Sequence, residues 1–139
     1  MTPAQLLAEI QTDPTAKGYA ALVTSGSDAA IADVLNLKGG GQTVFQRIES
    51  DQVAGACDPT EFDALSASLK TRITFYLSPP KIDFRLASVR GAFQTAFSAG
   101  ATKTALVALA TRQASRAEVL WGENAVVSHQ DIARALRGA

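Results

Sequence analysis

The sequence predicts an all-α fold, a single-domain helical bundle of about six to eight helices built around a central antiparallel helical hairpin. Three observations predict it. Apolar residues recur at intervals of three and four along most of the chain, cap residues stand before nearly every apolar run, and no segment alternates apolar and polar for long enough to build a strand ladder. At 139 residues, 47% hydrophobic and 19% charged, the chain has the balance of one domain, 1–139, closing on one core.

Residues 1–37 are expected to hold short N-terminal helices. Thr2 caps the first, Pro3 takes its opening position, and Leu6, Leu7 and Ile10 lie along one stripe. Pro14 disfavours a helical Asp13 and stops it. A second helical segment runs through TAKGYAALV and is weakened by Gly18; a third, SDAAIADVLN, is capped by Ser27 and turns Ile31, Val34 and Leu35 inward. Residues 38–43 form a flexible glycine-rich connector. A phosphate loop would need a wider glycine spacing and a lysine followed by Ser or Thr, whereas Lys38 precedes the glycines and Gln42 follows them. Residues 43–49 fit a strand and a helical turn equally, and SDQVAGAC reads as a weak helix capped by Ser50.

The helical hairpin is expected over 58–99. Its first arm opens with Asp58 as cap, Pro59 at the first position and Glu61 three residues after the cap, and its stripe is Phe62, Leu65, Leu69, Ile73 and Tyr76 or Leu77. The prolines of SPPK, residues 78–81, break it. Asp83 caps the second arm, with Leu86, Val89 or Arg90, Phe93 and Phe97 as its stripe and Gly100 closing it in a left-handed conformation. C-terminal helices fill 102–139. One starts at Thr102, carries Leu106, Leu109, Ala110, Gln113, Ala117 and Leu120, and stops at Gly122; the last is capped by Ser128 with Asp131 three residues on and is held by Ile132, Ala133 and Leu136.

Composition excludes several chemistries. One cysteine, Cys57, and one histidine, His129, cannot make a disulfide or supply a zinc site by themselves, so no metal and no cofactor are expected, and Cys57 reads as a small buried thiol. Asp28 with Asp33, and Glu61 with Asp63, are poorly spaced to share a helix face as an acid–base pair. Ser25, Ser27 and Ser128 lie in no nucleophile elbow, and Trp121 reads as a core anchor. The chain is therefore expected not to be an enzyme. No apolar run approaches the ~18 residues of a membrane span, and the start MTPAQLLAEIQ lacks the basic and apolar regions of a signal peptide, which points to a reducing cytoplasm or a particle assembled there.

Net charge is zero but unevenly spread. Residues 1–63 carry three Lys and Arg against nine Asp and Glu, net −6, and residues 64–139 carry ten against four, net +6. Asp28, Asp33 and Asp51 are candidates for an acidic partner face, and Arg112, Arg116, Arg134 and Arg137 for protein or phosphate contact, the first two at i, i+4 and the last two at i, i+3 on helices. If that polarity survives in space it favours head-to-tail contact between copies; the other expectation is that the two halves pack together and their charges neutralise within one molecule. The segment DIARAL invites comparison with a helix-turn-helix, but a turn of about three or four residues should precede a recognition helix. GENAVV stands there instead.

Three stretches, AEIQTDPTAKGYAAL, SDAAIADVLN and RQASRAEVLWGENAVVSHQDIARAL, resemble a group of small proteins of unassigned function encoded by tailed bacteriophages. In that group an L..EI..DP...GY stretch precedes an SDA.IA..LN helix, and an SRAE helix precedes a short capped C-terminal helix. The resemblance implies a setting and no site residues. In that setting a small protein without a catalytic constellation is expected to be a virion structural or assembly component of capsid, connector or tail. It would be made in the bacterial host cytoplasm, located in the virion, and in contact with other phage structural proteins as a homo-oligomer or repeated subunit. The alternative is a small DNA-binding or host-defence-inhibiting phage protein, for which the basic half and DIARAL speak; nucleic acid is the less favoured partner.

Overall fold

The computed structural model describes residues 1–138. In chain order the elements are α1 (Pro3–Thr12), α2 (Tyr19–Thr24), α3 (Asp28–Asn36), β1 (Thr43–Phe45), β2 (Arg47–Glu49), α4 (Ser50–Ala56), α5 (Pro59–Asp63), α6 (Ala67–Leu77), β3 (Lys81–Asp83), α7 (Ala87–Ala96), α8 (Ala101–Ala110), β4 (Thr111–Gln113), α9 (Arg116–Trp121) and α10 (His129–Arg137). The fold is mainly helical. It is not all-α, because β1 pairs with β4 and β2 with β3 in two small sheets. Strands of three residues are too short to display a period of two, which is why 43–49, now β1 and β2, fits strand and helical turn equally in the sequence and β3 and β4 are hidden there.

The chain divides into two compact units, Met1–Thr43 with Gln113–Ala139, and Val44–Arg112. Where the sequence leads one to expect a single core, buried apolar side chains form two clusters, one in each unit. The first gathers Leu6, Ile10, Tyr19, Ile31, Leu35, Val127 and Ile132 from α1, α2, α3, α10 and the segment before α10, with Trp121 half-buried against it. The second gathers Ile48, Val53, Ile73, Ile82, Phe84, Val89, Phe93, Phe97 and Leu106.

In the first unit the local signals act as the sequence suggests. Thr2, Ser27 and Ser128 each accept a hydrogen bond from a backbone N–H in the first turn of α1, α3 and α10, and Ser128 and Asp131 form a reciprocal box. Asp13 closes α1 at φ 39°, and its carboxylate accepts from the amides of Lys17, Gly18 and Tyr19, so no helical turn starts before α2. Gly39, Gly40 and Gly41 all take positive φ, and the stretch is tied rather than free: the Gly39 N–H donates to the Ala114 carbonyl and the Ala114 N–H to that of Gln42.

In the second unit the first arm of the expected hairpin is interrupted and the second is shortened at its start. The first arm is split at Ala64–Ser66, where the Ser66 hydroxyl accepts from Leu69 N–H and starts α6 afresh. After the prolines comes β3 rather than a helix start. It runs antiparallel to β2 with Arg47 opposite Asp83, Ile48 opposite Ile82 and Glu49 opposite Lys81. The two isoleucines enter the core, while Arg47–Asp83 at 3.5 Å and Lys81–Glu49 at 3.4 Å pair across the strands. Asp83 therefore does not cap a helix; α7 begins at Ala87 and packs on α6. The helix expected from Thr102 to Gly122 is also broken. Ala110 ends α8, β4 follows, and a Ser115–Glu118 capping box starts α9.

Candidate functional site

The second unit carries an aromatic cleft of about 100 Å³. Two helices build it from one stripe each. On α7, Phe93 lies with Arg90 and Gln94 beside it, and Phe97 follows as the C-cap of that helix; on α8, Lys103, Leu106, Val107 and Ala110 recur at helical spacing. Phe84, Phe93, Phe97, Leu106 and Ala110 are buried and form its floor, and the rings of Phe84 and Phe93 lie 5.3 Å apart in a tilted arrangement. Phe45 and Val107 stand at the mouth, 42% and 57% exposed.

Two cations flank this apolar surface. Arg90 Nη1 donates to the carbonyls of Phe84 and Arg85, 2.7 Å each, and its guanidinium stacks 4.2 Å from the centroid of Phe45. These contacts fix the side chain and leave Nε and Nη2 without an acceptor among the described residues. Lys103 also has no acidic partner among them. The acids of the unit are largely occupied elsewhere: Asp83 with Arg85 and Arg47, Glu49 with Lys81, and Asp58 as the cap of α5. The cleft offers dispersion contacts from its floor and two cationic donors at its edge, a set suited to an apolar group that carries an anion nearby.

Glu61 performs a separate task. Its carboxylate accepts from the backbone N–H groups of Ala101 at 2.9 Å and Thr102 at 3.0 Å, capping α8 from another helix, because Gly100 precedes that helix and has no side chain to cap it. The Thr102 hydroxyl and these amides hold Glu61 below its ordinary pKa. Thr102 is thus inside α8 rather than its cap, and its hydroxyl accepts from Asp58 N–H.

The residues that the sequence offers as contact sites lie elsewhere. Arg116 is not on a helix face with Arg112. It opens α9 and reaches Glu9 in a two-point ion pair, while Arg112 belongs to β4. Arg134 and Arg137 do share α10, where Arg134 lies 3.8 Å from Asp131 and Arg137 pairs with Asp28. That pair brings one member of the acidic set and one of the basic set together within the chain, and the Arg137 hydrogen bond holds Asp28 below its ordinary pKa. Asp33 on α3 and Asp51 on α4 are exposed. The opposed sequence halves are also interleaved by the fold. Counted by unit, five Lys and Arg stand against seven Asp and Glu in the first and eight against six in the second, so a split of −6 and +6 becomes −2 and +2.

The first unit also contains a buried polar group that the sequence does not announce. The Tyr19 hydroxyl is fully buried and lies close enough to Glu9 to feel its charge. Burial first, then the charges of Glu9 and Asp13, push its pKa up, so the ring stays protonated. Cys57 is half-buried, and its thiol donates to the Val53 carbonyl at 3.4 Å.

No family model matches the chain, and neither a curated protein nor a solved structure does. Among the described residues no group of three or more His, Cys, Asp or Glu is placed to hold a metal ion, and no helix is long and apolar enough to cross a membrane.

The cleft was half legible. Phe93 and Phe97 are read from sequence as a core stripe, Arg90 as an alternative to Val89 in that stripe, and Arg90 and Lys103 together as members of the basic half. A usable signal existed: neither cation has an acidic residue three or four positions away on its helix, and each sits beside a large apolar stripe.

Proposed function

We propose that the chain is a non-enzymatic bacteriophage virion structural or assembly protein, a component of capsid, connector or tail that acts through protein–protein contacts as a repeated subunit. The observation that carries the contact role is the aromatic cleft flanked by Arg90 and Lys103, a surface with apolar area and charge left over from folding. The phage setting rests on the resemblance of the three terminal stretches. The alternative, a small DNA-binding or host-defence-inhibiting protein, draws on Arg116, Arg134 and Arg137, of which Arg116 and Arg137 are already held by Glu9 and Asp28.

Mass spectrometry of particles purified from the phage that encodes the chain tests the proposal. Recovery in stoichiometric amounts supports a structural subunit, recovery only from precursor particles supports an assembly factor, and absence from both overturns the reading. Light scattering at low and high salt tests self-association, since contacts between charged surfaces weaken as salt rises. A salt-dependent shift of duplex DNA that is lost on charge reversal of Arg134 and Arg137 would support the alternative instead.

A further inference from the structure

We propose that the cleft of the second unit is a socket for an acidic segment of a partner protein, which inserts one bulky apolar side chain while its carboxylates engage Arg90 and Lys103. The inference rests on reading the chain as a protein-contact subunit and adds the chemistry of what it contacts.

Size sets the anchor. A cleft of about 100 Å³ is somewhat smaller than the ~150 Å³ cavities that admit a benzene ring, so it takes a single Leu-sized group, or a ring after slight opening, and not a chain of several residues. The floor of Phe84, Phe93, Phe97 and Leu106 supplies only apolar contact. Charge sets the flanks. Arg90 is held by two carbonyls and by the Phe45 face, so its remaining donors are oriented before any partner arrives and little side-chain freedom is lost on binding. Lys103 stands on the other helix without an acid among the described residues. A neutral apolar segment would leave both cations desolvated at the edge, and a basic one would be repelled. A carboxylate on either side of the anchor satisfies them.

The test uses the full chain and three fluorescein-labelled heptapeptides followed by fluorescence anisotropy. One has a central Phe among Glu residues, the second has Gly in place of Phe, and the third has Lys in place of Glu. The first should bind at least about tenfold more tightly than either control, and its affinity should fall severalfold as salt rises through the physiological range. Lys103→Glu and Val107→Glu alter exposed side chains at the mouth, so they leave the core intact, and each should weaken the first peptide by about tenfold or more. Arg90→Gln should do the same, with far-UV circular dichroism reporting whether its two carbonyl bonds were needed for folding.

Equal binding of all three peptides, no binding of the first, or binding unchanged by Lys103→Glu and Val107→Glu overturns the inference. Preference for the Lys peptide overturns its charge half, and labelled duplex DNA that competes for the cleft overturns its choice of partner. The two readings fail separately. A chain present in particles but indifferent to the peptides loses only the socket, and one that binds the acidic peptide but is absent from particles and precursors loses only the virion assignment.

Discussion

Arg116 and Glu9 stand 107 positions apart and meet in a two-point ion pair, with Nε to Oε1 at 2.7 Å and Nη2 to Oε2 at 2.9 Å. Both side chains are largely withdrawn from water, at 13% and 6% exposure, and the pair joins α9 to α1 within the first unit. Removing one partner leaves the other buried and uncompensated. Arg116→Ala and Glu9→Ala are each expected to lower stability by about 3–5 kcal/mol, whereas replacing both by Met and Leu should cost less than either single change. Trp121, the sole tryptophan, packs against this core, so its fluorescence through a urea titration measures the loss.

Gly100 is required for two reasons. It sits at φ +96°, which side chains rarely adopt, and a Cβ there would collide with the Glu61 carboxylate. Gly100→Ala should destabilise the protein by at least about 1 kcal/mol, with the midpoint of chemical denaturation followed by circular dichroism as the measure. Glu61→Gln should lower the midpoint as well, and Gly100→Ala in the Glu61→Gln background should cost less than the two changes summed, since both act on one cap.

Asp83 should dominate the acid sensitivity of the second unit. The Arg85 side chain above all, then the Arg85 amide and the nearby Arg47, bring its pKa from 3.8 to about 2 against the opposing effect of burial. A carboxylate with a depressed folded-state pKa stabilises the protein fully above its unfolded value and loses that contribution as pH falls through the folded one. The stability difference between the native chain and Asp83→Asn should therefore be largest near neutral pH and shrink between about pH 4 and pH 2. Urea midpoints at pH 7, 4 and 2.5 measure it, and a difference that does not change with pH contradicts the assignment.

Cys57 should be a slow thiol. Burial, and after it the Glu61 charge, push its pKa above the ordinary value, and thiolate is the reacting form. At pH 8 its reaction with an aromatic disulfide reagent should run at least about tenfold slower than that of free cysteine and should reach the free rate in denaturant. Equal rates in the native and unfolded chain would contradict its placement.

What the sequence by itself determined is local. Thr2, Ser27, Asp58 and Ser128 cap the helices they precede, Pro3 and Pro59 open two of them, and Pro79 and Pro80 end α6, because each signal acts through hydrogen bonds or sterics reaching no more than four residues. Only the tertiary structure decided which helical stretches continue. Ala64–Ser66 and Thr111–Gln113 carry no breaker as strong as proline, yet the first gives way to a new cap and the second to a strand. It also decided that two cores form instead of one, that Glu61 caps a helix forty residues on, and that Arg137 meets Asp28 within the chain. These outcomes depend on groups far apart in sequence, whose pairing is worth little until packing has already brought them together. The cleft belongs to the same class: its phenylalanines and its two cations are visible as types, and only the packing of α7 on one side and α8 on the other makes them a site.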